Sequence, residues 1–165
     1  MKKILLILLI LLALLIVLTS CTALQCGRYT AEFSYDPHQY MLFIRKQIQG
    51  VQNQINTAMS HAVLVDRGDF SANQAAISAR NSLEMIRESR GSINVKRPPA
   101  KYAATRENVL FTIISIEGSM EDFIKELEVP ALDSGRLIEI RNTLHGQSIA
   151  LTQQNSACKQ NEAAD

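Results

Sequence analysis

Apolar side chains at Met41, Ile44, Ile48, Val51, Ile55, Ala58 and Ala62 recur in alternating steps of three and four. That spacing lines one face of an α-helix, whereas a strand alternates its faces every second residue. The stripe predicts a helix of about 30 residues that begins near Asp36-Pro37, since proline in a first turn sacrifices only an N–H that has no partner there. Gly68 closes it, and Gly50 is a tolerated weak point inside it. Ser71 and Gln74 then have capping-box spacing, each side chain placed to satisfy a free amide of a new first turn. The second stripe is Ala72, Ala76, Ala79, Leu83, Ile86 and Ile93, interrupted by Arg90. Arg97-Pro98-Pro99 stops it, because the residue before a proline is driven out of the helical region.

A third helix is expected from about Ala100 to Leu127, with the stripe Tyr102, Val109, Ile113, Ile116, Met120, Phe123 and Leu127. Arg106 falls in its early gap and Pro130 ends it. Asp133 is placed to cap a fourth helix carrying Leu137, Ile140, Leu144, Ala150 or Leu151, and Cys158. Four amphipathic segments on short connections predict an all-α fold, an antiparallel up-down-up-down bundle of about four helices over residues 36–160. A three-helix core with a loose fourth helix is the structural alternative. Residues 161–165 are expected to be a frayed tail.

The N-terminus follows another rule. Lys2 and Lys3 precede Ile4–Leu18, an unbroken apolar run. As a helix this run rises about 22 Å, short of the roughly 30 Å hydrocarbon core, which favours a secretion signal over a permanent span. The run ends in Leu18-Thr19-Ser20-Cys21, which resembles the lipobox of bacterial lipoprotein precursors. The resemblance covers residues 1–21 only. It implies that the Cys21 thiol receives a diacylglyceryl group and that cleavage between Ser20 and Cys21 makes this residue the new N-terminus. Residues 1–20 are then a cleaved signal peptide and 21–35 a lipidated tether. Several acyl chains at about 0.8 kcal/mol per buried CH₂ hold a protein stably, where one chain is marginal. Thr22 stands where an Asp commonly signals inner-membrane retention in Gram-negative lipoproteins. The expected address is the bacterial cell envelope, in the outer membrane or on the outer face of the cytoplasmic membrane.

With Cys21 lipidated, Cys26 and Cys158 remain, an even pair in an exported protein and a candidate disulfide. In the expected bundle, the start of the first helix and the end of the fourth share one end, which brings the two together. Such a bond closes a loop of more than about 100 residues, worth about 4–5 kcal/mol by the chain-entropy account. Free thiols or an intermolecular bridge are the alternatives. Neither Cys belongs to a Cys-x-x-Cys pair, so neither redox catalysis nor a zinc knuckle is indicated.

The chain's 17 Lys and Arg face 16 Asp and Glu, so loss of Lys2 and Lys3 leaves a near-neutral domain with no global pull toward nucleic acid. Position matters more than the sum. Arg45, Lys46, Arg90, Lys96, Arg97, Lys101 and Arg106, with Arg87, are expected at the end nearest the lipid, as a membrane-proximal basic patch. Glu117, Glu121, Asp122, Glu126, Glu128, Asp133 and Glu139 are expected at the far tip, facing a partner. The plainer alternative is that these are ordinary solvated faces. Arg90 and Arg106 interrupt apolar stripes and are expected to snorkel to solvent, with a bound phosphate or lipid headgroup as the functional alternative.

His38, His61 and His145 lack metal-ligand spacing, so no metal site is expected. A haem held by His145 with Met41 or Met59 is the least implausible cofactor set, but the methionines suit core filling better and no cofactor is expected. There is no Gly-x-Ser-x-Gly and no Gly-rich phosphate loop, and scattered Ser, His and Asp make no triad, so no catalytic residue is nominated. The expected role is noncatalytic, a lipid-anchored protein-interaction or structural module that binds membrane lipid through its acyl anchor and an envelope protein through its helices. A small-ligand or haem carrier using the bundle interior is the alternative.

Overall fold

The computed structural model describes residues 36–163, with side chains through residue 160. Among the described residues the fold is all-helical, with no strand. Helices α1 (Pro37–Asp66), α2 (Ala72–Val95), α3 (Ala103–Glu128) and α4 (Ser134–Ala163) follow in order, and a single 3-10 turn, Ala100–Tyr102, precedes α3. Helix α4 therefore includes residues 161–163 of the expected tail. Each helix packs on two others, α1 on α2 and α4, α3 on α2 and α4, while α1 and α3 barely touch. The core is the space the four enclose.

The helix ends follow from local chemistry. Pro37 occupies the first turn of α1. At the other end Gly68 takes a φ of 76°, its N–H bonds the Val65 carbonyl at 3.0 Å, and the Asp69 N–H bonds the Leu64 carbonyl at 2.9 Å. That pair of bonds is the Schellman termination, and its left-handed residue favours glycine. Ser71 Oγ accepts from the Gln74 N–H at 3.2 Å. The reciprocal half of the expected box is replaced, because the Ser71 hydroxyl donates to Gln74 Oε1 at 2.9 Å. Asp133 Oδ1 accepts from the N–H groups of Gly135 and Arg136 and so caps α4.

Every expected stripe residue of α1 is buried, from Met41 to Ala62, and so is every one of the third stripe, from Tyr102 in the 3-10 turn to Leu127 at the end of α3. On α2, Ala72 packs at the margin while Ala76, Ala79, Leu83, Ile86 and Ile93 are buried. Burial also takes in Ala75 and Ser82 on α2 and Leu110, Glu117 and Ile124 on α3. On α4 the choice between Ala150 and Leu151 falls to Leu151, fully buried. No helix of the described residues is long and apolar enough to cross a membrane. Cys21 and Cys26 lie outside the described residues, as do the leader and the tether.

Candidate functional site

Two polar seams join the helices. Between α2 and α3 the seam is ionic. Arg80 pairs with Glu128, Arg87 Nη2 reaches Glu121 Oε1 at 2.7 Å, and Arg90 Nε lies 2.7 Å from Glu117 Oε1. Arg87 also holds Glu84 at 2.8 Å on its own helix and stands 4.0 Å from Glu117. Glu117 is the buried member, and burial raises its carboxyl pKa, with Arg90 and Arg87 pulling the other way. The two partners offset part of the cost of burying that charge, and burial outweighs them.

Around α4 the seam is neutral and repeats one device three times. A hydroxyl one turn along a helix bonds back to a carbonyl, and a glutamine from the neighbouring helix bridges both. Gln52 Nε2 donates to the Ser148 carbonyl at 3.3 Å and to Thr152 Oγ1 at 2.8 Å. Gln147 Nε2 donates to the Ser115 carbonyl at 3.2 Å and to Ser119 Oγ at 2.9 Å. Gln154 Nε2 donates to the Asn108 carbonyl at 3.4 Å and to Thr112 Oγ1 at 2.8 Å.

The expected basic patch is divided by these contacts. Arg90 is committed to Glu117, so it neither snorkels freely nor waits for a phosphate. Arg106 is mostly buried, and its guanidinium donates to the Ile93 carbonyl at 3.4 Å and the Asn94 carbonyl at 2.9 Å, besides pairing with Glu107. It thereby satisfies the Asn94 carbonyl at the end of α2 and adds a second donor to the Ile93 carbonyl, which also accepts the Lys96 N–H at 3.4 Å. The charge pattern is corrected with it. Glu117 and Glu121, expected at a distant acidic tip, touch Arg90 and Arg87, so these four members of the two sets meet between α2 and α3.

Two further members of the patch, Lys96 and Lys101, lie against an aromatic cluster. Tyr40 stacks on Tyr102 with ring centroids 6.2 Å apart and meets Phe43 at 6.4 Å. Lys96 Nζ stands 3.7 Å above the Phe43 ring and Lys101 Nζ 5.0 Å above Tyr102. Lys46 and Arg97 are exposed and Arg45 is half-buried. Burial pushes the Tyr40 hydroxyl up to about 12, with Arg106 opposing it.

The histidines stay apart. His38 and His145 are exposed, while His61 is half-buried with its ring 4.8 Å from Phe70. Of the haem set named from sequence, Met41 is fully buried in the core, Met59 is partly buried and His145 is exposed. No cluster of His, Cys, Asp and Glu able to hold a metal occurs among the described residues. A groove of about 470 Å³ between α2 and α3 is lined by Arg87, Arg90, Gly91, Leu110, Phe111 and Ile114. A second, of about 300 Å³, continues it past Leu83 and Ile124. Glu117 was expected from sequence at the acidic tip and not in the core, and Gln147 and Gln154 of α4 were not singled out, although each occupies an apolar-stripe slot. No family model, curated protein or solved structure matches this chain.

Proposed function

We propose that the protein is a bacterial envelope lipoprotein, anchored through acyl chains on Cys21, whose helical bundle is a noncatalytic interaction or structural module. The observation that carries the anchor is the spacing of Lys2-Lys3, Ile4–Leu18 and Leu18-Thr19-Ser20-Cys21. The noncatalytic role rests on how the polar side chains are used. The Arg–Glu pairs, the glutamine clips and Arg106 all hold helix to helix. The finer topology belongs to the same proposal. Arg80, Arg87 and Arg90 meet Glu128, Glu121 and Glu117 in reversed order, and Gln147 and Gln154 meet Ser119 and Thr112 likewise. Both runs support an up-down-up-down arrangement. In it Cys158 lies at the end where α1 begins, and a bond to Cys26 is part of the reading. Lys46, Lys96, Arg97 and Lys101, beside Phe43 and Tyr102, form the basic and aromatic end that faces the lipid surface. Each cation near an anionic surface contributes about 1 kcal/mol.

Growth with a radiolabelled fatty acid tests the anchor. The wild-type protein is expected to incorporate label and fractionate with membranes. Cys21→Ala is expected to incorporate none and to retain its leader. Label on Cys21→Ala, or none on the wild type, overturns the anchor. Crosslinking of the lipidated protein in cells addresses the interaction role. One envelope protein captured reproducibly through bundle residues supports it, and a small molecule retained on purification with no protein captured favours the carrier.

A further inference from the structure

Helix α4 changes character along its length. Its first half buries Leu137, Ile140 and Leu144, whereas from residue 145 to 160 only Leu151 and Cys158 are buried. The intervening core-facing slots hold Gln147 and Gln154, attached to α3 through the hydroxyl-and-carbonyl clips. The far ends of these groups fare worse. Gln147 Oε1, Gln154 Oε1 and Asn155 Oδ1 are buried with no hydrogen bond. A neutral amide bond contributes little net stability, because water replaces it on exposure, while a buried carbonyl without a donor favours exposure outright. Helix α1 also has a buried atom without a hydrogen bond, His61 Nδ1, but the stripe positions of α1 and α3 are apolar apart from Glu117, so neither has a comparable polar stretch of the core.

We infer that residues 146–163 form a strap that opens from α1 and α3 as a unit while the other helices stay folded. Segments with few buried apolar side chains open at lower free energy than the global transition. Opening rehydrates the three amide oxygens and uncovers the flanks of α1 and α3 around Gln52, Thr112 and Ser115. The strap is a built-in conformational device, and it depends neither on the lipid anchor nor on a bond at Cys158.

Native-state hydrogen exchange read by mass spectrometry tests it, on the full protein extracted from cells and kept reduced so that no disulfide ties the strap down. Peptides from 146–163 are expected to exchange at least about tenfold faster than those from α1 residues 41–55 and α3 residues 109–124, with weaker dependence on denaturant. Replacing both amides by leucine, Gln147→Leu with Gln154→Leu, is expected to slow strap exchange about tenfold and to leave α1 unchanged. If that double variant fails to fold, Gln154→Leu alone is read, with the same direction expected. Exchange of the strap at the rate and denaturant dependence of α1, or faster exchange in the leucine variant, overturns the inference.

Discussion

Glu117 sits in the series Leu110, Ile113, Glu117, Met120, Ile124 and Leu127, whose steps alternate four and three. Read by charge it belongs with the other acids of α3. Read by period it belongs in the core, and the period wins: the residue is 9% exposed. Its carboxyl pKa is raised from the ordinary 4.5, first by burial, with Arg90 and Arg87 opposing. The sign follows from linkage. A raised folded-state value means that the fold prefers the protonated acid, so this residue's contribution is fully present below about pH 4.5 and is lost as pH rises through the folded value. Gln mimics the protonated form. Glu117→Gln is therefore expected to match or exceed wild-type stability at pH 7 and to flatten the change between pH 4 and pH 7. Arg90 and Arg87 are 41% and 37% exposed, so losing their partner leaves both guanidinium groups in reach of water, although Arg90 Nε itself is buried. Urea denaturation at the two pH values checks this. A loss above about 2 kcal/mol at pH 7 means that pairing outweighs burial, since a pair broken to leave a buried charge costs about 3–5 kcal/mol.

The elements were legible wherever the signal was local. The stripes, Pro37, Gly68, Asp133 and the double proline act within a turn or two, and a helix records them in order. What the period could not supply was the partner across a seam. Arg106 was visible as an interruption of α3, but the carbonyls it serves belong to α2, which ends at Val95 with Lys96 in extended conformation and no glycine cap. The Lys96 N–H reaches only the Ile93 carbonyl, the Asn94 carbonyl is closed from the next helix, and packing alone reveals that second part. A side chain joining two elements this way has a measurable cost of removal. Arg106→Ala is expected to lose about 2 kcal/mol, because hydrogen bonds from charged donors contribute about 1.5–3 kcal/mol. Arg106→Lys is expected to recover less than half, since one ammonium cannot span both the Ile93 and Asn94 carbonyls as the guanidinium fork does. Equal stability of Arg106→Ala and wild type in urea would remove the cap. The same reasoning explains the glutamines of α4, whose slots follow Leu137, Ile140 and Leu144 in step but whose hydroxyl acceptors lie on α3.

At the scale of the molecule, the seams divide the bundle into unequal parts. Helices α1, α2 and α3 are joined by apolar stripes, small alanines and ion pairs, whereas the second half of α4 is joined by two apolar side chains and neutral clips. Cys158, fully buried, is the last core side chain of that weak half. The proposed bond to Cys26 would therefore fasten the strap in the half away from its hinge and close most of the chain into one loop. Cys26→Ser is expected to cost about 2–5 kcal/mol in oxidising buffer, the usual toll for removing a native disulfide from a small exported domain. In reductant the variant and the wild type are expected to melt together. Strap exchange sharpens the prediction, because oxidised wild type is expected to exchange more slowly over 146–163 than oxidised Cys26→Ser, while residues 41–55 change less. Equal melting of the wild type with and without reductant removes the bond and leaves the strap tied by its glutamine clips and the burial of Leu151 and Cys158. In that outcome α4 opens whatever the redox state of the compartment, and control of the strap passes to whatever engages the flanks of α1 and α3.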